Sequence, residues 1–184
     1  NVVLLNELLD DWDGEVIRFA MLSGHYRAPL DWTDDLLEQA KTTLGRVYGA
    51  LRRVWDHDGG STSDRGVRKA LQDDLNTPIA LAELSRLAGE ANGAADRKDD
   101  VAMAAARADL LAAGGVLGLL TKTPAEWEQG GDRDDNARID ALIEARLTAR
   151  AEKNWAEADR IRDQLAAEGI EIMDGLGGAT WRRV

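Results

Sequence analysis

Apolar residues recur at three- and four-residue steps along most of this chain, the spacing of helices that bury one face. Segment 14–24 (GEVIRFAMLSG) sets Val16, Ile17, Ala20 and Met21 on one stripe, with Asp13 positioned as its N-cap. Pro29 interrupts the helical pattern. Thr33 then caps a long helix in which Leu37, Ala40, Leu44, Val47, Tyr48, Leu51, Val54 and Trp55 keep the period, the strongest amphipathic stretch present. His57–Ser61 (HDGGS) reads as a loop and Ser63 as the next cap. Thr77-Pro78 and Thr123-Pro124 each carry the signature of a helix start, threonine as cap and proline in the first turn. The Thr77 helix buries Leu81, Leu84, Leu87, Ala88 and Ala91. After a polar break at 96–100, an Ala-rich segment 101–117 keeps the period through Met103, Leu110 and Leu117. Its small residues predict close helix–helix approach. The first two-thirds reads as an antiparallel helical bundle over 1–129.

Residues 129–136 (QGGDRDDN) contain no apolar side chain, which predicts an exposed linker over 130–136. Two helices follow, near 137–152 and 155–168. Asn154 with Glu157 three residues on gives the second a capping box, and Gly169 stands where a left-handed residue is wanted at its end. The period then changes to alternation: Ile170, Ile172, a turn at 174–178 (DGLGG), then Ala179 to Arg183, a small β-hairpin. Residues 137–184 thus form a compact α/β unit, and the fold class is mainly α.

Composition narrows the function. With 44% apolar and 31% charged residues in 184, a buried core is within reach, as one ordinary domain or two small ones. Lys and Arg number 23 against 34 Asp and Glu, a net charge of −11. That balance argues against holding nucleic acid or an anionic membrane by bulk charge, while leaving room for a local basic face. The tail from Arg138 carries eight basic and nine acidic residues, leaving 15 basic against 25 acidic for 1–137, so the acidity belongs to the bundle. There is no cysteine, and His25 and His57 are the two histidines. A disulfide framework, a thiolate nucleophile and a Cys/His zinc site are excluded. No apolar run approaches the roughly 20 residues that span a bilayer, and no secretory signal is visible, so a cytoplasmic protein without membrane contact is expected. The start at Asn1 rather than Met suggests a piece of something longer.

An enzyme site is hard to find. No phosphate-binding glycine loop, Ser/His/Asp order or metal-ligand spacing occurs. The acidic pairs Asp10-Asp11, Asp34-Asp35, Asp73-Asp74 and Asp134-Asp135 fall at caps, helix ends or linker and read as solvated or capping carboxylates. His25, just past a helix end, reads as a C-terminal helix contact rather than a proton carrier. The tail differs. Arg150, Lys153, Trp155, Asp159, Arg160 and Arg162 crowd into thirteen residues. An aromatic ring to stack on an unpaired base, guanidinium groups for phosphate and a carboxylate for a base amino group are what single-stranded RNA recognition asks for. The residues alone leave a second reading open, a tryptophan packed on its neighbour and a solvated Arg/Asp helix face.

Eight blocks in order give a resemblance: EVIRFAMLS (15–23), GHYRAPL (24–30), DDLNTP (73–78), VLGLL (116–120), ALIEARLTAR (141–150), NWAEADRIR (154–162), GIEIMDG (169–175) and TWRR (180–183). Across about 170 residues the chain resembles the C-terminal region of bacterial cysteinyl-tRNA synthetases. The resemblance implies a class I synthetase bundle of the DALR type followed by a small anticodon-reading unit. It also implies that the nucleotide-binding catalytic domain, with its HIGH and KMSKS motifs, ATP site and zinc ligands, lies outside this sequence. The parent would activate cysteine with ATP and attach it to tRNA(Cys); this part alone would catalyse nothing and hold no cofactor.

On the family's pattern, Arg150, Trp155, Asp159 and Asp174 match the positions that read the GCA anticodon. Trp155 would stack on a base, Arg150 would donate to a base edge or phosphate, and Asp159 and Asp174 would accept from bases. Lys153, Arg182 and Arg183 would add backbone contacts. The partners implied are the tRNA(Cys) anticodon and stem and the catalytic domain of the same chain, in a monomer. The segment Asp10–Arg27 has two open readings: it leaves apolar residues, Trp12 and Phe19 among them, partly uncovered, a route to self-association, or it is simply a first helix of the bundle. Two rivals are a helical protein-interaction module without RNA, and the tail of a cysteine-ligating relative that acts on a small amine.

Overall fold

The computed structural model describes residues 4–130, 133–175 and 178–183, without side-chain detail at 133–134, 174–175 and 178. Two compact units emerge, Asn1–Pro124 and Ala125–Val184.

The first unit is helical: α1 (Leu5–Asp11), α2 (Gly14–Ser23), α3 (Asp34–Val54), α4 (Arg65–Gln72), α5 (Thr77–Arg97) and α6 (Asp100–Leu117). Asp13 caps α2 by accepting from the Glu15 amide at 2.9 Å, and Thr33 caps α3 through the Leu36 amide at 3.2 Å. The expected face of α3, Leu37 to Val54, is buried and packs against α2, α5 and α6, while Trp55 is half-buried. The expected faces of α5 and α6 are buried too.

Several starts differ from the sequence reading. Ser63 gives way to Asp64 as the residue before α4; the Ser63 amide instead donates to Asp109 at 2.5 Å. The α5 cap is Asn76, which accepts from the Ile79 amide at 3.2 Å, so Thr77 enters the helix and its hydroxyl reaches back to the Gly24 carbonyl. The break at 96–100 is a left-handed Lys98 (φ 53°), after which Asp99 caps α6. Helix α1 was not legible in the pattern. Phe19, partly uncovered on one of the two readings, is buried at 6% exposure, because α2 turns it into the bundle with Val16 and Ala20. Trp12 is half-covered beneath Lys41; Leu4, Leu5, Leu9 and Met21 are exposed, so Met21 departs from the stripe expected with Val16, Ile17 and Ala20.

Glu15 is a buried charge with a function in the fold. Its carboxylate accepts from the Tyr48 hydroxyl at 3.0 Å and the Leu120 and Thr121 amides at 3.0 and 2.8 Å, and from the Thr121 hydroxyl. One side chain thereby ties α2 to α3 and to the stretch after α6. Burial, and then the Glu15 charge, push the Tyr48 hydroxyl far above its ordinary pKa, so it stays a neutral donor.

α7 (Pro124–Gln129) opens on proline as its sequence predicts. The second unit contains α8 (Arg133–Ala151), α9 (Trp155–Ala167) and a hairpin of β1 (Ile170–Gly175) and β2 (Gly178–Arg183). Helix α8 begins inside the stretch expected as linker. Lack of apolar residues does not prevent a helix: Asp135 suits the positive end of its dipole, and Arg138 pairs with Asp135 at 2.8 Å. The strands pair antiparallel, Ile170 with Arg183 through Gly175 with Gly178. Ile139, Ile143, Ile161, Leu165, Ile170 and Trp181 form the core. Among the described residues no helix is long and apolar enough to cross a membrane.

Candidate nucleic-acid interface

The turn between α8 and α9 is built by backbone geometry. The Asn154 amide donates to the Ala149 carbonyl at 2.8 Å and the Lys153 amide to Arg150 at 3.1 Å, the two bonds of a Schellman closure. Lys153 occupies its left-handed position (φ 59°), where glycine is the usual choice. Asn154 then caps α9, accepting from the Glu157 amide at 3.3 Å. Only half of the expected capping box forms, because the Glu157 carboxylate turns to Arg160 at 2.7 Å.

Helix α9 buries Ala158, Ile161 and Leu165. Trp155, Asp159 and Arg162 therefore share an outward stripe at i, i+4 and i+7. Trp155 is 59% exposed at the first helical position, so the packed-tryptophan alternative fails here. Asp159 pairs with Arg162 at 3.0 Å, on the open surface. Arg150 is exposed at the end of α8 and engaged with its surroundings.

The short 152–154 turn makes α8 and α9 antiparallel, and Arg138 near the start of α8 reaches Glu168 past the end of α9 at 2.6 Å. Gly169 (φ 73°) then reverses the chain. Thirteen residues of α9 rise about 20 Å. Six residues of β1, packed on α9, run back about the same distance. β1 thus runs back along α9 in the direction of the α8–α9 turn. Asp174 stands on it in register with Ala179; its side chain lies outside the described residues.

The seven candidates consequently fall at two ends. Arg150, Lys153, Trp155 and Asp159 lie at the α8–α9 turn and in the first turns of α9, and Asp174 near the turn end of β1. Arg182 and Arg183 lie at the opposite, open end of the hairpin. Arg182 pairs across the strands with Glu171 at 2.5 Å. Arg183 donates to Asp135 and Asn136 at 2.7 and 2.9 Å, and its guanidinium lies over the Trp181 ring at 5.5 Å. Arg183, then Arg138, hold the Asp135 carboxyl below its ordinary pKa.

Two features were missed in the sequence. Arg146 is a buried cation, 8% exposed, on the α8 stripe with Ile139, Ile143 and Ala149, one turn before Arg150. Its phase on that stripe was the signal. The Trp181 indole donates to Asp140 at 2.6 Å, a pairing that no local spacing announces.

The chain has no cysteine, and among the described residues no group of three or more His, Cys, Asp or Glu is arranged to hold a metal.

Comparison with known proteins agrees with this division. Residues 66–121 match the DALR domain, and residues 132–182 match the cysteinyl-tRNA ligase anticodon binding domain. The whole chain is 68% identical to a cysteine–tRNA ligase of Hyphomonas neptunium. It is 48% identical over its whole length to one of Xanthomonas campestris pv. campestris, and 47% identical over 99% of its length to one of Caulobacter vibrioides. In each case the chain spans about 40% of the relative's length. In this order and at this identity, the chain carries the DALR and anticodon binding domains of the cysteinyl-tRNA ligase family.

Proposed function

We propose that this chain is the tRNA-recognising part of a cysteine–tRNA ligase of class I, a cytoplasmic monomer that activates cysteine with ATP and attaches it to tRNA(Cys). The observation that carries the reading is Trp155. Its ring is largely exposed at the start of α9, beside Lys153 and one turn from Asp159. An exposed indole has a stability cost that an unpaired base would offset by stacking.

In this reading Trp155 stacks on an anticodon base, Arg150 donates to a base edge or phosphate, and Lys153 holds the backbone. Asp159 and Asp174 accept from bases and repel loops that lack donors at those points. Arg182 and Arg183, committed to Glu171 and Asp135, serve the hairpin first. ATP and zinc chemistry would belong to the remaining part of the parent; among the described residues of this chain no group is arranged to hold a metal. Its share of the reaction is to bind and orient tRNA, so that contacts far from the reacting ester contribute to its transition state.

Titration with a tRNA(Cys) anticodon stem-loop at rising salt tests this. Binding should weaken linearly in log K against log salt; no binding at any salt would contradict it.

A further inference from the structure

The buried side of the second unit changes character along α8. Its buried stripe runs Ile139, Ile143, Arg146 and Ala149, so an arginine takes a place that the helical period assigns to an apolar side chain. Arg146 is buried and engaged with its surroundings. The buried residues nearest the α8–α9 turn, Ala149 on α8 and Ala158 on α9, are both small.

The hairpin supplies the complementary charge on its inward face. Ile170 and Ile172 of β1 pack into the core, while Glu171 and Met173 are exposed. Alternation places Asp174 next on the inward face. Ala179, its partner across the strands, packs against the same core, and directly opposed residues share a face. Both inward series thus pass from isoleucine to opposite charges, Arg146 on α8 and Asp174 on β1, as the two elements run toward the α8–α9 turn. A buried guanidinium is costly unless a carboxylate meets it. Glu157 and Asp159 of α9 and Glu171 of β1 are committed to surface arginines. Asp174 is the carboxylate that β1 places inward.

We propose that Arg146 is a positioning residue for anticodon recognition: its guanidinium pairs with Asp174 and fixes that carboxylate for its bond to a base. This rests on the reading of Asp174 as a base acceptor. A carboxylate has about four lone-pair sites, enough to serve the guanidinium and a base amino group together. Held in place, it selects its donor more sharply than one free to rotate.

The test uses the 184-residue chain with Arg146→Met, Asp174→Ala and both together. Urea unfolding without RNA reads the pair. Each single variant should lower the midpoint, and the double variant should lie no lower than the less stable single. Additive losses overturn the pairing. Affinities for a GCA anticodon stem-loop and for three loops, each changed at one anticodon base, read the positioning. Arg146→Met should lose preference at the same anticodon base as Asp174→Ala, by roughly 5- to 150-fold, and the double variant no more than that. Arg146→Lys keeps a cation but not the planar fork, so it should stay folded and lose part of that preference. Weakening spread alike over all four loops, or full preference in folded Arg146→Met or Arg146→Lys, overturns the positioning role. Non-additive unfolding in a chain that shows no anticodon preference leaves the pair standing and overturns the anticodon reading.

Discussion

The indole nitrogen of Trp181 donates to the Asp140 carboxylate at 2.6 Å, fastening β2 to α8 from within the core of the second unit. The same ring is 4% exposed and lies beneath the Arg183 guanidinium. Hairpins alone are marginal in water, so the register that pairs Asp174 with Ala179 depends on this anchor. Trp181→Phe keeps most of the ring and loses the bond, at about 1–2 kcal/mol. Trp181→Ala opens the core at about 3–5 kcal/mol. Urea unfolding followed by circular dichroism measures both, and an Ala variant as stable as Phe would refute the anchor.

Glu15 holds the other unit in a comparable way. Glu15→Ala leaves the Tyr48 hydroxyl and the Leu120 and Thr121 amides without their acceptor. The expected loss is about 2–4 kcal/mol. Amide exchange at residues 120 and 121 should accelerate beyond the change in global stability.

Acid should destabilise the second unit. Arg183 and Arg138 depress the pKa of Asp135, Arg138 and Gln164 that of Glu168, and Arg160 that of Glu157, below ordinary values of 3.8, 4.5 and 4.5. A carboxyl depressed in the folded state stabilises fully above its ordinary pKa, and that contribution is lost as pH falls through the folded value. Stability should therefore fall below about pH 4.5 at low salt. Arg138→Ala should flatten that acid limb in melting curves taken from pH 7 to pH 3.

Lys98 and Lys153 both occupy left-handed closing positions, at φ 53° and 59°. Lys98→Gly should raise stability by about 0.5–1 kcal/mol with RNA binding unchanged. Lys153→Gly should give a similar gain but weaken RNA binding, because it removes a cation at the interface. Stability gains without that difference in binding would remove Lys153 from the site.

Much of this architecture was legible because the signals were local. The period of Leu37 to Val54, the Asn154 cap and the alternation of Ile170 and Ile172 are all read within a few residues. What escaped was set by distant partners or by backbone geometry. Thr77 looked like a cap, yet Asn76 takes the role because Thr77 is drawn to Gly24. The start of α8 looked like linker because Asp135 and Arg138 support a helix through charge rather than burial. The site was legible as a list of residue types, and the separation of Arg182 and Arg183 from Trp155 was not. That separation comes from hairpin direction, which a list does not contain.

The most direct measurement compares the affinity of the chain for a GCA anticodon stem-loop and for the same stem-loop with a changed anticodon, with Trp155→Ala beside it, at about 50 mM salt. Tighter binding of the GCA loop is predicted, with Trp155→Ala weakening it by about 1–3 kcal/mol, roughly 5- to 150-fold. Equal affinity for both loops, or a Trp155→Ala variant that binds like the parent, would contradict anticodon recognition at the α8–α9 turn.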